Sequence, residues 1–319
     1  MDTFKKWITL VPQHREHSLS YCRSGELYQY AQCSELCNQE IQKNNTIAPS
    51  FVYLNELDNG HDGMLISLEY NSWPQFNLFF AKVDETRYKL VRNFVDLDSP
   101  EMHTIVEGNA HEAALQYLLN RYKYVKTGNA KEIQIDCKCW PIEWKTIPAI
   151  HQTEMWKVKL YPSMYEKCFD SLNENPNIKQ LQLSAVTGTS DEVTLPAVFF
   201  KSKLFKQLEK GVFNLKSFIQ DEDFLESHAS YLSLNCDTIS NNAINGKIRD
   251  WYGGHVEDCI FEISFVTPRM IDDVLINLPF VQEGQDRFSI RRRDGKIGGG
   301  QLRDNFVSFR VDEFWYLYL

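Results

Sequence analysis

The sequence has no uninterrupted apolar run that approaches the roughly 18 residues of a membrane-spanning helix. Its first residues, MDTFKKWITLVPQHREH, contain only a short apolar run and no small-residue cleavage site, so they do not predict a secretory signal peptide. Without an export signal, the eight cysteines are expected to be reduced thiols. The sequence therefore predicts a cytoplasmic protein that makes no membrane contact.

The sequence also lacks the established motifs for nucleotide binding, metal binding and catalysis. There is no Walker-type loop, no dinucleotide fingerprint and no His-Glu-x-x-His sequence. A Cys–His nucleophile pair, for example Cys259 with His255, stays open because catalytic partners meet in space and not in sequence. Four cysteines offer zinc-ligand chemistry at a spacing unlike that of known zinc sites: Cys33, Cys37, Cys137 and Cys139. We expect a protein without cofactor or metal that is not an enzyme.

Basic residues are in the minority. There are 34 Lys and Arg against 43 Asp and Glu, which gives a formal net charge of -9. Such a chain repels a phosphate backbone on average, so nucleic-acid binding would require a segregated basic patch, and we expect no DNA partner. Aromatic residues make up 13% of the chain, which favours a packed core or a recognition surface over disorder.

At 319 residues the chain is long enough for two domains. Prolines and mixed polarity near residue 148 suggest a boundary between an α+β domain at 1–148 and a second α+β domain at 149–319. In the first, residues 25–45 have helical spacing, apolar β-rich runs follow between 50 and 97, and 109–122 is the clearest helix. The predicted arrangement is helices packed on an antiparallel sheet.

The second domain is predicted to begin with the strand MWKVKLY and a helix at 161–172. A helical block is expected at 201–232, followed by a loop at 245–258 and a mostly-β end. No internal repeat is evident in the sequence. The fold class expected for the whole chain is α+β with a barrel-like, mostly-β C-terminal part.

The most distinctive local pattern is RFSIRRRDGKIGGGQL, at residues 287–302. Its glycines are not followed by Lys-Ser/Thr and no strand-to-helix unit encloses them, so a phosphate loop is disfavoured. Alternation places Phe288 and Ile290 on one face of a strand, and Asp294-Gly295 is a strong hairpin signal. The pattern predicts a hairpin with basic residues at its edge.

This stretch resembles the C-terminal β-barrel domain of elongation factor Tu, in which a Phe-x-Ile-Arg strand turns into a strand that begins with a Gly-x-Gly pair. The preceding FEISFVTPRMIDD extends the resemblance over about 261–302. It implies a small β-barrel or open sheet, with Phe288, Ile290, Gly298 and Gly300 in structural roles. Since no guanine-nucleotide domain accompanies it, the resemblance implies binding and no GTPase activity.

Protein binding is the function that the sequence favours. Trp, Tyr and Arg are the residue types that anchor interfaces, and six of them lie at the predicted loop and hairpin: Arg249, Trp251, Tyr252, Arg291, Arg292 and Arg293. The acidic chain suggests an immunity protein that neutralises a cationic toxin by direct binding. The alternative is a protein that binds RNA or the translation machinery through the barrel-like part. A hydrolase whose residues assemble in space is a third possibility.

Overall fold

The computed structural model describes residues 50–57, 62–70, 73–94, 102–122, 130–138, 148–186 and 193–311. The predicted helix at 25–45 lies outside these residues. The chain divides into two compact units, one formed by Met1–Cys137 and Pro141–Thr153, the other by Lys138–Trp140 and Glu154–Leu319. The main division lies near the boundary predicted at residue 148, and the fold is broadly α+β.

The first unit contains an antiparallel meander, as the alternating runs predicted. Its strands are β1 (Phe51–Leu57), β2 (Gly63–Tyr70), β3 (Trp73–Asp84), β4 (Arg87–Phe94) and β5 (Met102–Glu107). A further strand, β6 (Glu132–Asp136), pairs with β1 in parallel. The antiparallel prediction is confirmed for the meander.

Helix α1 (Ala110–Tyr122) packs on β2 and β3 of this unit, and α2 (Pro148–His151) ends it. The predicted cap of α1 is present, because the Asn109 side chain accepts hydrogen bonds from the backbone N–H of His111 at 2.9 Å and of Glu112 at 3.2 Å. Ala114 and Leu118 share one face of α1 and are fully buried. The spacing of apolar residues therefore places the helix on the sheet.

The second unit begins with parallel strands, which the sequence analysis did not foresee. They are β7 (Met155–Leu160), β8 (Gln180–Ala185), β9 (Lys210–Lys216), β10 (Tyr231–Asn235) and β11 (Ile260–Ser264), each paired in parallel with the next. Helical segments lie between successive strands. The chain thus repeats a strand-plus-helix unit in its structure, although its sequence shows no internal repeat.

The helices of this unit are short. They are α3 (Tyr165–Asn173), α4 (Ala197–Phe200), α5 (Lys203–Gln207), α6 (Asp221–Glu226), α7 (Asn241–Tyr252) and α8 (Ile271–Val274). The predicted helix at 161–172 corresponds to α3. The predicted helical block at 201–232 is only partly helical, because it contains β9 and the start of β10. The acidic start of α6, with Asp221, Glu222 and Asp223 in its first turn, is present as expected.

The loop predicted at 245–258 is only partly present, because residues 245–252 belong to α7 and only 253–258 lie outside helices and strands. Ser240 caps this helix by accepting from the N–H of Ala243 at 3.2 Å, and Asp221 in turn accepts from the Ser240 hydroxyl at 2.6 Å. Ile244, Ile248 and Trp251 follow helical spacing and are fully buried. Their burial against the sheet outweighs the helix-weakening Gly246 and the asparagines.

The C-terminal part is antiparallel. It contains β12 (Phe280–Gln282), β13 (Arg287–Arg291), β14 (Ile297–Arg303) and β15 (Phe306–Arg310), with β15 paired to β11. The predicted hairpin at 287–302 is confirmed as β13–β14. The sheet order in this unit runs β12-β13-β14-β15-β11-β10-β9-β8-β7, so β12 and β7 lie at opposite ends and the sheet does not close. The barrel-like expectation is therefore wrong.

Candidate functional site

In the second unit, helices cover one side of the sheet, and no described helix packs on the other side. Phe199, Phe200 and Phe205 of α4 and α5 pack around Phe213 of β9, with ring centroids 5.4, 6.1 and 6.2 Å away respectively. In the same way Phe224 of α6 lies 5.8 Å from Phe261 of β11. These inward side chains are buried, each contributing about 1.5–3 kcal/mol of hydrophobic stabilisation. The helices therefore lie on the side of Phe213 and Phe261.

The opposite side, which we name the open sheet face, presents the alternate residues of each strand. Strand pairing aligns one row across it, and this row defines the face: Lys157, Gln182, Val212, Ser233, Glu262, Ser308, Gln301 and Arg287. Its side chains are polar with the exception of Val212. All of them are half-buried or exposed.

The open sheet face is basic, although the chain as a whole is acidic. Glu262 is the one carboxylate among the outward residues of the described strands β7–β15, and it is bonded by Arg310 and by the Tyr231 hydroxyl at 3.1 Å. The basic side chains on the same face are Lys157, Lys159, Lys210, Lys216, Arg287, Arg291, Arg303 and Arg310. Charge is therefore segregated onto this side of the sheet.

Arg291, one of the predicted partner-binding residues, lies on this face and is exposed. Arg293 is exposed at the hairpin turn. Arg249 is exposed near the end of α7, where its guanidinium donates to the carbonyl of Ile276 at 3.0 Å. Tyr252 follows in the same helix and is half-buried.

The remaining predicted residues, Trp251 and Arg292, lie in the interior. Trp251 is 0% exposed and Arg292 is 6% exposed. Arg292 forms ion pairs with Asp294 and with Glu257, the latter at 3.2 Å. Neither side chain reaches a partner in this conformation, so their role is to hold α7 against the hairpin. The structure does not bring the six predicted residues together in one site.

Two of the three glycines of β14, Gly298 and Gly300, create space for aromatic rings. A Cβ on Gly298 would stand 2.6 Å from Cζ of Phe309 and 2.8 Å from Cη2 of Trp251. A Cβ on Gly300 would stand 2.5 Å from Cζ of Phe288 and would also overlap the carbonyl oxygen of Ser308. Close ring packing is thus the reason for glycine at 298 and 300, and no helix N-terminus that could hold a phosphate begins here.

Lys247 of α7 is buried and satisfies the last carbonyls of α6. Its Nζ donates to the carbonyl oxygens of Phe224 at 3.3 Å, Leu225 at 3.1 Å and Ser227 at 2.5 Å. Burial lowers the pKa of Lys247. This arrangement stabilises the contact between two successive helices, and it accounts for the burial of the amine without a catalytic role.

Two of the described thiols, Cys168 and Cys259, do not have the character of nucleophiles. Burial raises the pKa of Cys259 to about 12 and that of Cys168 well above its usual value. His255, the partner considered for Cys259, lies in the exposed segment after α7. Of the four cysteines considered as zinc ligands, Cys137 is buried and the other three lie outside the described residues. No group of three potential metal ligands occurs among the described residues.

Two adjoining grooves lie on the helical side of the sheet, between α3 and α4. Their volumes are about 390 and 480 Å³, and both are lined by Tyr165 and Glu166. The Tyr165 hydroxyl donates to the carbonyl of Thr194 at 3.0 Å, and burial raises the pKa of Tyr165 to about 12. The phenol therefore serves as a structural donor.

The residues that matter most on the open sheet face were missed in the sequence. Lys210 and Lys216 fall within the predicted helical block, although KGVFNLK alternates polar and apolar residues as a half-buried strand does. This alternation was the sequence signal that could have identified the strand. The neighbouring KSKLFKQLEK, with helical spacing, obscured it.

Comparison with known proteins gives one distant similarity that bears on function. An F-box protein of Caenorhabditis elegans is 20% identical over 259 residues, which cover 74% of this chain and 63% of that protein. The chain therefore spans less than two thirds of the length of this relative. No protein-family model matches the chain, and no solved structure gives a significant match. Among the described helices, none is long and apolar enough to cross a membrane.

Proposed function

We propose that this protein is a protein-binding module whose recognition surface is the open sheet face of the second unit. The observation that carries the proposal is the asymmetry of that sheet. Its inner side is packed with helices, while its outer side presents ordered rows of polar and basic side chains. Stacked strand-plus-helix units characteristically use such an extended face for binding.

The rigidity of the face supports a binding role. Each outward residue alternates with a buried one, such as Phe213, Leu215, Leu232 and Leu234, so the backbone beneath the face is fixed by the core. A surface that is ordered before binding loses less conformational entropy on association. The name of the similar F-box protein is consistent with a role in protein–protein interaction.

The narrower hypotheses stay predictions. Neutralisation of a toxin would be one form of protein binding, but a cationic toxin would meet charge of its own sign on the open sheet face. Binding to RNA or the translation machinery rests on the resemblance at about 261–302 alone. We therefore propose protein recognition without adopting either narrower role.

Site-specific photo-cross-linking tests the proposal. A benzophenone residue in place of Ser233 probes the centre of the face, and the same residue in place of Glu222, exposed on α6, is the matched control. In lysate of the source cells, we expect a discrete protein adduct from position 233 and none from position 222. Equal adduct patterns from both positions, or none from position 233, would rule out the open sheet face as the recognition surface.

A blocking variant adds an independent measurement. Ser233→Trp places a bulky ring on the face without changing a buried row, so the melting temperature should stay close to that of the wild type. It should prevent recovery of the partner identified by cross-linking, while Glu222→Trp should not. Undiminished recovery by a folded Ser233→Trp variant would contradict the proposal.

A further inference from the structure

We infer that the segment bound by the open sheet face is an acidic segment of a protein partner. This inference rests on the proposed function and adds the chemistry of the partner. It follows from the distribution of charge among the outward side chains of β7–β15, where basic residues far outnumber the single carboxylate, Glu262. The chain as a whole has a net charge of -9, so the basic residues give this face a local electrostatic potential that is positive, opposite in sign to the net charge.

The carboxylates at this face are already used within the protein. Glu262 is bound by Arg310 and Tyr231, and these two neighbours come from β15 and β10. Asp286, just before β13, is bound by Arg303 at 3.0 Å and by the Gln301 amide at 2.8 Å. The Arg303 guanidinium holds the pKa of Asp286 below its usual range. Among the outward residues of the described strands, these pairs leave no free carboxylate to attract a basic partner.

Three cations of the face remain available. Lys210, Lys216 and Arg291 make no ion pair with any residue in the described part of the chain. The Nζ atom of Lys210 lies 5.1 Å from the ring centroid of Tyr231, which orients the amine without neutralising its charge. Lys216 lies in the same manner 5.9 Å from the ring of Phe218. Each can therefore form a charge-assisted hydrogen bond with an incoming carboxylate.

Neutral hydrogen-bonding side chains lie between these cations. Asn214 separates Lys210 from Lys216 along β9, and Ser233 and Asn235 continue the surface on β10. Lys210 and Lys216 lie six residues apart along β9, about 20 Å at ~3.3 Å per residue, a distance that an extended segment of about six residues covers. The face therefore suits a short peptide segment with carboxylates spaced along it.

A protein segment fits these observations better than RNA does. Single-stranded RNA is held by aromatic stacking in addition to phosphate contacts. On strands β8–β11 of this face, Tyr231 is the one outward aromatic side chain among the described residues. Its ring contacts the Lys210 amine and its hydroxyl donates to Glu262. A long polyanion would also extend beyond the face into the field of an acidic chain.

Fluorescence anisotropy with defined probes tests the inference on the full chain. The probes are a Glu/Ser peptide of about 12 residues, its Lys/Ser counterpart, and a single-stranded RNA of similar length. The double variant Lys210→Glu/Lys216→Glu is compared with Lys201→Glu/Lys203→Glu, two exposed lysines on the helical side. Both pairs change the net charge equally, so any difference reports the location of the charge.

At low salt we expect the Glu/Ser peptide to bind the wild type more tightly than either other probe. The Lys210→Glu/Lys216→Glu variant should weaken this binding about tenfold, because reversal of two surface charges removes roughly 1–2 kcal/mol. The control variant should leave it nearly unchanged. Tighter binding of RNA, tighter binding of the Lys/Ser peptide, or an equal effect of both variants would each overturn the inference.

Mapping the cross-link from position 233 separates this inference from the proposed function. An adduct with an acidic segment supports both. An adduct with a neutral or basic protein segment retains the protein-binding function and overturns the acidic partner. Absence of a face-specific protein adduct overturns the proposed function itself.

Discussion

The guanidinium of Arg292 lies over the indole of Trp251, with its Cζ 5.6 Å from the ring centroid, and donates to the Trp251 carbonyl at 3.3 Å. The same group bonds Asp294 through Nε at 2.9 Å. One buried cation thus joins the end of α7 to the β13–β14 turn. The residue types typical of an interface here stabilise the fold, which explains why their identity alone did not locate a binding surface.

Replacement of Arg292 should destabilise the second unit. Arg292→Ala removes the contact with Trp251 and the bonds to Asp294 and Glu257, so we expect a clear fall in the melting temperature measured by circular dichroism. The adjacent Arg293 is exposed, and Arg293→Ala is the matched control. A similar melting temperature for both variants would show that the buried guanidinium is not needed to hold the hairpin.

Addition of one methyl group at Gly300 should be costly. In Gly300→Ala the new Cβ would overlap Phe288 and the carbonyl of Ser308, so we expect a loss of about 3 kcal/mol in the free energy of unfolding by urea. Gly254→Asn provides the comparison, because no atom lies within 4 Å of a Cβ there and Asn tolerates the positive φ of 80°. If Gly300→Ala were as stable as Gly254→Asn, close ring packing would not explain the glycines.

Lys247→Met tests the buried amine between α6 and α7. Methionine retains the length of the side chain but removes the amine that donates to three carbonyls. The carbonyl of Phe224 keeps the backbone N–H of Ser227 as a donor, whereas those of Leu225 and Ser227 lose the Lys247 amine, so we expect a loss of about 2–4 kcal/mol. Lys203→Met, at an exposed position of α5, should cost far less. Hydrogen exchange should locate the destabilisation in α6 and α7, and a uniform effect of both variants would refute the capping role.

Acid sensitivity should depend on the hairpin turn. Arg292 and the backbone N–H of Lys296 hold the pKa of Asp294 at about 2, below the ordinary value of 3.8 for an aspartate. In this interval the unfolded chain binds more protons than the folded chain, so the contribution is present above about pH 4 and is lost as the pH falls towards 2. Asp294→Asn should have a shallower dependence of stability on pH in this window. Identical slopes for the variant and the wild type would contradict the assignment.

Local signals predicted much of the fold. The alternating runs gave the meander of the first unit, Asn109 marked the start of α1, and Asp294-Gly295 marked the hairpin. These features depend on short-range chemistry that is present in the sequence itself: a side-chain cap, a turn residue, a period of two.

The parallel arrangement was missed for a physical reason. Parallel strands are usually buried on both faces and read as continuous apolar runs. Here one face of the sheet is not covered by described helices, so strands such as QLQLSA alternate polar and apolar residues. This pattern is typical of antiparallel strands. The repeat was also hidden, because the strands begin at the unequally spaced residues 155, 180, 210, 231 and 260. The basic face depends on register between distant strands, which no local pattern contains.

Because buried and outward residues alternate along each strand, mutations in the sheet meet two kinds of constraint. Leu181, Phe213 and Leu232 cannot change without disturbing the core. Their neighbours in the sequence, Gln182, Val212 and Ser233, pair with one another across the outward side and contribute little to the core. Selection can therefore alter the outward row while the scaffold persists. Chains that share this architecture are free to diverge in what they recognise long before they diverge in shape.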